Sequence, residues 1–310
     1  MNEILRRIYN KTIYKSSPLI SLIEKKLLDN YGHSAQYPQI FIIGSPRTGS
    51  TFLYQLLTSS YNVSYIDNFS ASFHKNILIG LHLSNLFFND RPHSGFNSEY
   101  GKTVEGGPRG PNECGDFWYN WLTEKQHVAD ESTLNSEEIG KLNVYLNSMS
   151  NMFSRPFIFK NLNAGLRLRM LKISAEYPKF IFIRRNIYDT VLSILKGRDK
   201  VMGSQYEWFS LKPEGYESLL TKEPLEQVTA QVALIEKRII NDLKLYCDTQ
   251  YITIFYEDLL DNPIKVLEKI EDFTGIKQRE GLVMPKPVDG RKDLSNDFKN
   301  KVDYYLEKYR

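Results

Sequence analysis

The chain of 310 residues has little cysteine, no long apolar run and almost no excess of charge. Each shortage excludes something. Two cysteines, Cys114 and Cys247, are too few for a disulfide framework or a zinc site. They read as reduced thiols in a cytosol-like compartment, with room for one bridge at most. The uncharged stretch Asn76 to Asn89 is too short and too polar to span a bilayer. The opening MNEILRRIYNKTIYK is punctured by charge and lacks the apolar core of a signal peptide, so the expected location is cytoplasmic. Lys and Arg number 40 against 37 Asp and Glu, a net +3 that is too balanced for a protein built to grip nucleic acid. The five histidines (33, 74, 82, 93, 127) lack metal-ligand spacing, and no metal is expected. No repeat and no Gly/Ser or Pro-rich linker divides the chain.

What is present is ordinary for a globular domain: 41% apolar and 25% charged residues. A chain of this size buries roughly three quarters of its unfolded surface without metal or disulfide. The organisation read from the pattern is an N-terminal helical segment, 1–38, and a single α/β domain, 39–310, with an insertion around 67–155. In the first segment Ser17 is placed at the N-cap and Pro18 in the first turn of a helix that Gly32 ends.

Apolar strand runs follow at Gln39–Ile43, Val63–Ile66, Pro156–Lys160, Lys179–Ile183 and Tyr251–Phe255. Helical spacing falls at Phe52–Ser60, Phe73–Phe88, Phe117–Leu122, Glu137–Met152, Leu166–Tyr177, Leu225–Tyr246 and Pro263–Phe273. Asn186, with Asp189 three positions on, is the pattern of a capping box. Residues 95–115 carry six glycines and no clear element. Strands that alternate with helices and lack polar alternation predict a parallel sheet covered on both faces. Ligands in such sheets sit beyond the carboxyl ends of the strands. There lie the glycine loop after Ile43, Lys160-Asn161, Arg184-Arg185 and Tyr256-Glu257-Asp258. This is the address of a polyanion.

Gly44 to Thr51 reads GSPRTGST. Its glycine spacing and final Thr51 match G-x-x-x-x-G-K-[ST], but Ser50 stands where the lysine belongs. The positive charge sits inside the loop, on Arg47. Amides and a helix N-terminus still hold a phosphate. The lysine that reaches the β- and γ-phosphates is gone, and no apolar strand ends in an evident magnesium-binding Asp. A nucleotide with one 5′-phosphate fits better than ATP. Arg185 with Ser193 eight residues later, about two turns into the next helix, offers a second phosphate station. Read alone, that pair is a surface cation and a solvated hydroxyl; with the loop, it suggests a nucleotide with two separate phosphates.

These residues resemble a family. SPRTGSTFL is similar to the 5′-phosphosulfate loop of sulfotransferases that use 3′-phosphoadenosine 5′-phosphosulfate (PAPS). FIFIRRNIYDTVLSIL resembles their 3′-phosphate element, and ITIFYEDLLDNPIKVLEKIEDFTGI a strand-and-helix segment common in the family. The three occur in the family's order and bracket residues 41–275. The resemblance implies a P-loop-like parallel sheet with helices on both faces. It implies PAPS as donor and adenosine 3′,5′-bisphosphate as product. It also implies that Arg47, Thr48, Gly49, Ser50 and Thr51 wrap the 5′-phosphosulfate, and that Arg185 (with Arg184 the competing choice) and Ser193 hold the 3′-phosphate. Gly290-Arg291-Lys292 faintly resembles a basic segment that reaches the same phosphate, which adds Arg291.

Sulfuryl transfer is an in-line displacement with charge building on the bridging oxygen, so a cation beside it stabilises the transition state. Arg47 and Lys160 are the candidates. A general base must reach the acceptor proton. The family's His after the third-strand Lys is absent from Phe159-Lys160-Asn161-Leu162-Asn163. Gly110-Pro111-Asn112-Glu113-Cys114-Gly115-Asp116-Phe117-Trp118 instead resembles the Pro-x-Glu-Asp segment of several bacterial-type members. Glu113 is the expected base, with Asp116, Glu105 and His93 behind it; its bland reading is a loop carboxylate ahead of a helix. Trp118, Trp121 and Trp208 are either an aromatic wall for the acceptor or core.

The acceptor, a small molecule, carbohydrate or lipid, is expected to meet residues 67–155 and 200–225. The basic N-terminal residues Arg6, Arg7, Lys11 and Lys15 suit a solvated helix or a peripheral membrane contact. Two other readings stand beside transfer: a P-loop kinase for a small molecule, and a non-catalytic nucleotide-binding protein on the same fold. The sequence is silent on oligomeric state.

Overall fold

Three short runs build the centre of the fold, and each alternates phenylalanine with isoleucine. They are β1 (Gln39–Ile43), β5 (Phe157–Lys160) and β6 (Pro178–Arg184) in a computed structural model. It describes residues 17–96, 98–99, 102–103, 106–122, 127–280 and 291–309. Successive side chains of a strand point to opposite faces. Phe41, Phe157, Phe159, Phe180 and Phe182 therefore enter one core, while Ile40, Ile42, Ile158, Ile181 and Ile183 enter the other. Parallel register sets Phe41 beside Phe159 and Phe180, and the rings stack at 5.0 and 5.5 Å. Such pairs contribute about 0.5–1.5 kcal/mol each beyond the area they bury.

The five-stranded sheet is parallel throughout, in the order β2-β5-β1-β6-β7, with β2 (Ser64–Tyr65) and β7 (Tyr251–Phe255) at its edges. A separate two-stranded hairpin pairs β3 (Ser98–Glu99) with β4 (Lys102–Thr103). From β1 the chain goes to β2 on one side, returns to β5, then crosses to β6 on the other. The reversal puts a crevice at the carboxyl end of β1.

Helices cover both faces. On the isoleucine face lie α2 (Ser50–Ser60), α10 (Tyr256–Asp261) and α11 (Pro263–Thr274). On the phenylalanine face lie α4 (Ile77–Phe88), α6 (Ser136–Asn151), α7 (Leu168–Ser174) and α9 (Pro224–Tyr246). A third cluster joins α8 (Ile187–Gly197) and α9 to α12 (Asn296–Tyr309) through Val191, Ile194, Val228, Val232, Val302 and Leu306. Two single turns, α3 (Asn68–Ala71) and α5 (Gly115–Trp118), lie in the insertion. No helix among the described residues is long and apolar enough to cross a membrane.

The N-terminal helix α1 (Ser17–Tyr31) packs on α4 and α6. The first turn of α4 has free N–H groups, and its N-cap Asn76 makes no side-chain bond to them. Glu24 of α1 does so instead: its carboxylate accepts from Leu78 N at 3.1 Å and Ile79 N at 3.0 Å. Burial pushes the Glu24 carboxyl up to about 7 against the pull of those two bonds.

Several boundaries differ from the sequence reading. The helix expected from Phe73 starts at Ile77, because Asp67 caps the separate turn α3 through Ser70 N. The helix expected over Phe117–Leu122 is the single turn Gly115–Trp118. The one expected over Leu166–Tyr177 is a 3₁₀ turn, Leu162–Leu166, followed by α7, with Arg167 at φ −125° between them. Asn186 caps α8 with its side chain, yet its own N–H donates to Glu257 at 2.9 Å, so Asp189 does not close a box. The first described helix begins at Ser17 itself. Arg6, Arg7, Lys11, Lys15, Glu105 and Gly290 lie outside the described residues.

Candidate functional site

After Ile43 the chain turns through Gly44–Gly49 into α2. A Cβ on Gly44 would stand 2.4 Å from the Ile183 carbonyl, and one on Gly49 would stand 2.2 Å from the Tyr256 ring. Gly49 also has φ +86°, and Arg47 holds the left-handed region at φ 67°. The loop is thus wound tightly against β6 and α10. Thr48 Oγ1 pins it by donating to Ser45 O at 2.9 Å. Gly49 caps α2 without a side-chain bond, which leaves first-turn amides available to an anion. Ser45 Oγ is buried with no partner among the described residues.

The two stations read from the sequence meet here. Arg47 Nε donates to Ser193 Oγ at 3.1 Å, and Arg185 Nη1 donates to Arg47 O at 3.2 Å. Arg185 lies over the Tyr256 ring, 5.2 Å from its centroid. Arg184 takes another direction and pairs with Glu236 at 2.7 Å. Alternation along β6 separates the neighbours: one arginine faces the loop, the other α9. Arg291 pairs with Asp261 at 2.9 Å, at the end of α10.

The third station lies at the end of β5. Lys160 is 2% exposed, and its ammonium donates to Thr51 Oγ1 at 3.2 Å and to Glu113. Glu113 sits 47 residues earlier and is held in place by backbone ties. Asn68 N donates to Gly110 O and Phe69 N to Pro108 O, both at 2.9 Å, and Asn112 N donates to Ile66 O at 2.8 Å. Arg109 Nη1 meets Asp67 at 2.7 Å, and Asn112 Nδ2 meets Asn68 Oδ1 at 2.8 Å. Asn161, named with Lys160 at this strand end, donates through Nδ2 to Glu113 O at 3.5 Å. The Tyr54 hydroxyl is held well above its usual range by burial first, then by Tyr65 and Glu113.

Other candidates are placed elsewhere. His93 is buried, with Nε2 on Thr58 Oγ1 at 2.9 Å and Gln55 O at 3.1 Å and Nδ1 on Gly95 O at 3.0 Å. Both ring nitrogens serve the packing of the insertion against α2. Asp116 is exposed in the first turn of α5. Trp118 is buried in the core beside Phe117 and Phe159, and the half-buried Trp121 and Tyr145 pack against it. Cys114 and Cys247 are free and buried, and burial pushes their thiols up to about 12 and about 11. Among the described residues, no three His, Cys, Asp or Glu gather as a metal cage.

A glycine loop, a helix N-terminus and three cations gather at adjacent strand ends of this α/β protein, an arrangement whose chemistry suits a polyanion beside the central strand. The comparisons with known proteins make this specific. The model of the sulfotransferase family matches residues 38–280, and the chain belongs to that family. It is an enzyme of the sulfotransferase kind. Its fold is similar to that of sulfotransferase STF1 from Mycobacterium tuberculosis H37Rv, at 13% identity and TM-score 0.52, over 94% of this chain and 78% of that one. It is also similar to sulfotransferase STF9 from Mycobacterium avium, at 12% identity and TM-score 0.50, over 98% of this chain and 74% of that one. No curated protein matches the chain at significance.

Proposed function

We propose that the protein moves a sulfuryl group from PAPS to a hydroxyl or amine of a small-molecule, carbohydrate or lipid acceptor by in-line displacement. One observation carries this reading: the Arg47–Ser193 and Arg185–Arg47 bonds bring two anion stations from distant parts of the chain into one crevice. The buried Ser45 hydroxyl, without a partner among the described residues, and the tightly wound loop fit a phosphosulfate held by backbone and hydroxyl donors. Thr48, Gly49, Ser50 and Thr51 would wrap that group, and Arg185 with Ser193 would take the ribose 3′-phosphate. Arg47, bonded to both stations, aligns one with the other and stabilises charge on the leaving oxygen. Lys160 lies within reach of Thr51 and can share that work. Glu113, with its side chain 36% exposed, would exchange Lys160 for the acceptor proton. Arg291, bonded to Asp261, is a secondary contact to the 3′-phosphate on this reading.

Titration calorimetry with adenosine 3′,5′-bisphosphate and transfer of labelled sulfate from PAPS to an acceptor panel test the proposal. Tight binding together with transfer is expected. Magnesium-dependent ATP turnover without binding of the bisphosphate would replace it with the kinase reading. Binding without transfer to any acceptor would leave a nucleotide-binding protein.

A further inference from the structure

Arg198 is a buried cation that the chemistry above does not use. It follows α8 in a five-residue π-turn, Arg198–Met202, and is 0% exposed. Such turns inside helices occur often at functional sites. Nη1 donates to Gln205 O at 3.0 Å and to Gln227 Oε1 at 2.7 Å. Nε and Nη2 are buried and have no partner among the described residues, and no carboxylate there pairs with the guanidinium. Nε and Nη2 form the side-on edge of the guanidinium, two parallel donors that match a carboxylate or a phosphate.

The surroundings are arranged around that cation. Its Cζ lies 5.0 Å from the Trp208 ring centroid, Trp208 lies 5.3 Å from Tyr216, and the Lys212 ammonium lies 4.5 Å from Tyr216. Two edge-to-face rings thus lie between two cations, and Trp208 faces the guanidinium. Gln231, also 0% exposed, donates to Phe209 O and Leu211 O and leaves Oε1 buried without a partner among the described residues. Burial lowers the Arg198 guanidinium to about 10. Lys212 N donates to His127 Nδ1, and Lys212 and Arg167 add positive charge around that ring. The strap over Arg198 carries left-handed residues at Gly203 and Ser210, with exposed Tyr206 between them and exposed Val201 and Met202 just before. Ser193 precedes Arg198 by five residues, roughly 7–8 Å along a helix axis.

We propose that Arg198 is the acceptor's anion receptor: its Nε/Nη2 edge binds a carboxylate or phosphate group on the molecule that is sulfated, and the preferred acceptors are anionic. The proposal rests on the sulfuryl-transfer reading for the word acceptor, but not for the anion site itself. Entry requires the strap to lift, since the Gln205 carbonyl lies on the guanidinium.

The test separates the two. Calorimetric titration with phenyl phosphate, benzoate and neutral benzyl alcohol is run on the wild type and on Arg198→Gln. The expected result is binding of phenyl phosphate, benzoate or both to the wild type, with a loss of about 30-fold or more in Arg198→Gln; whichever anion binds names the group. Equal anion affinity in the two proteins, or no anion binding to the wild type, overturns the proposal. With PAPS, the ratio of kcat/KM for a carboxylate- or phosphate-bearing acceptor to that for its neutral ester should fall about 100-fold in Arg198→Gln. The Kd for adenosine 3′,5′-bisphosphate should stay unchanged. Failure of the wild type to bind the bisphosphate sinks the transfer reading, while the phenyl phosphate titration still judges Arg198. Should Arg198→Gln not fold, a wild-type crystal soaked with phenyl phosphate decides: density at Nε and Nη2 supports the site, and density only elsewhere overturns it.

Discussion

The two halves of the candidate site are built differently. The donor half joins two local units, each with its own geometry: β1, its glycine loop and α2 are consecutive, as are β6, Arg185 and α8, and the Arg47–Ser193 and Arg185–Arg47 bonds link the two. The acceptor half is assembled at long range. Glu113 reaches Lys160 across 47 residues, Arg109 reaches Asp67 across 42, and Glu24 reaches Leu78 across 54. A local motif carries its own geometry, so changes there should cost function and leave the fold intact. A site assembled by buried ion pairs and borrowed caps should lose stability and function together.

The sharpest probe of the acceptor half is Glu113→Gln. The amide is nearly isosteric and leaves the backbone ties of 107–113 untouched, yet it cannot take a proton. Turnover should fall about 10²–10⁴-fold with donor affinity kept. Steady-state kinetics beside calorimetry would check it, and near-normal turnover would remove Glu113 from the role of base.

Asp67→Ala attacks the scaffold itself. Asp67 is fully buried, accepts from Arg109, Ser84 and Ser70, and caps α3. Removing it takes away the close carboxylate of the Arg109 guanidinium and leaves it Arg91 O, Ser84 Oγ and, at 3.8 Å, Asp90. The expected loss is about 3–5 kcal/mol, read from urea unfolding. Turnover should fall as well, since Arg109 and Asn112 set the segment that carries Glu113. Unchanged stability would show that the acceptor half does not depend on its long-range ties.

This contrast also explains what was legible in the sequence. The parallel sheet and the glycine loop could be read because strand, loop and helix adjoin, and because an apolar run such as QIFII suits only a strand covered on both faces. Arg185 and Ser193 meet Arg47 through topology, which the chain order of a P-loop-like fold implies. The capping box at Asn186 failed where a local rule met a tertiary competitor, Glu257. The Lys160–Glu113 pair follows no spacing rule, since a loop decides it. Helix α12 went unread although Phe298, Val302 and Leu306 recur every four residues; its many charges masked a narrow apolar stripe that packs on α8 and α9. The tryptophans were ambiguous for the opposite reason, because the same aromatic spacing serves a pocket or a core.

Glu24→Gln tests the borrowed helix cap through pH. The folded-state pKa, about 7, lies above the ordinary 4.5. The folded state therefore holds its proton more tightly than the unfolded chain. The resulting stability is fully present below about pH 4.5 and is lost as pH rises toward 7. The glutamine variant lacks this dependence. Its stability relative to wild type should rise across that window, by at most about 3 kcal/mol, and stay level above it. Parallel urea curves at pH 5 and pH 8 would show this; identical pH profiles would mean that Glu24 is ionised throughout.

Arg185→Ala is the smallest and cleanest change, because it belongs to the local half. Arg185 makes a 3.2 Å bond to the Arg47 carbonyl and rests on the Tyr256 ring, and neither contact buries a carboxylate. Truncation leaves Tyr256 still packed against Gly49, so the melting temperature should stay close to that of wild type. Binding of adenosine 3′,5′-bisphosphate should weaken about 10- to 100-fold, the range of one or two hydrogen bonds to a charged phosphate. Turnover at saturating PAPS should change far less, since the 3′-phosphate lies away from the reacting sulfur. Arg185→Lys should recover part of the affinity, because a point charge replaces the fork. If Arg185→Ala instead lowers turnover and keeps affinity, its bond to Arg47 is the important contact, and the donor half is as interdependent as the acceptor half.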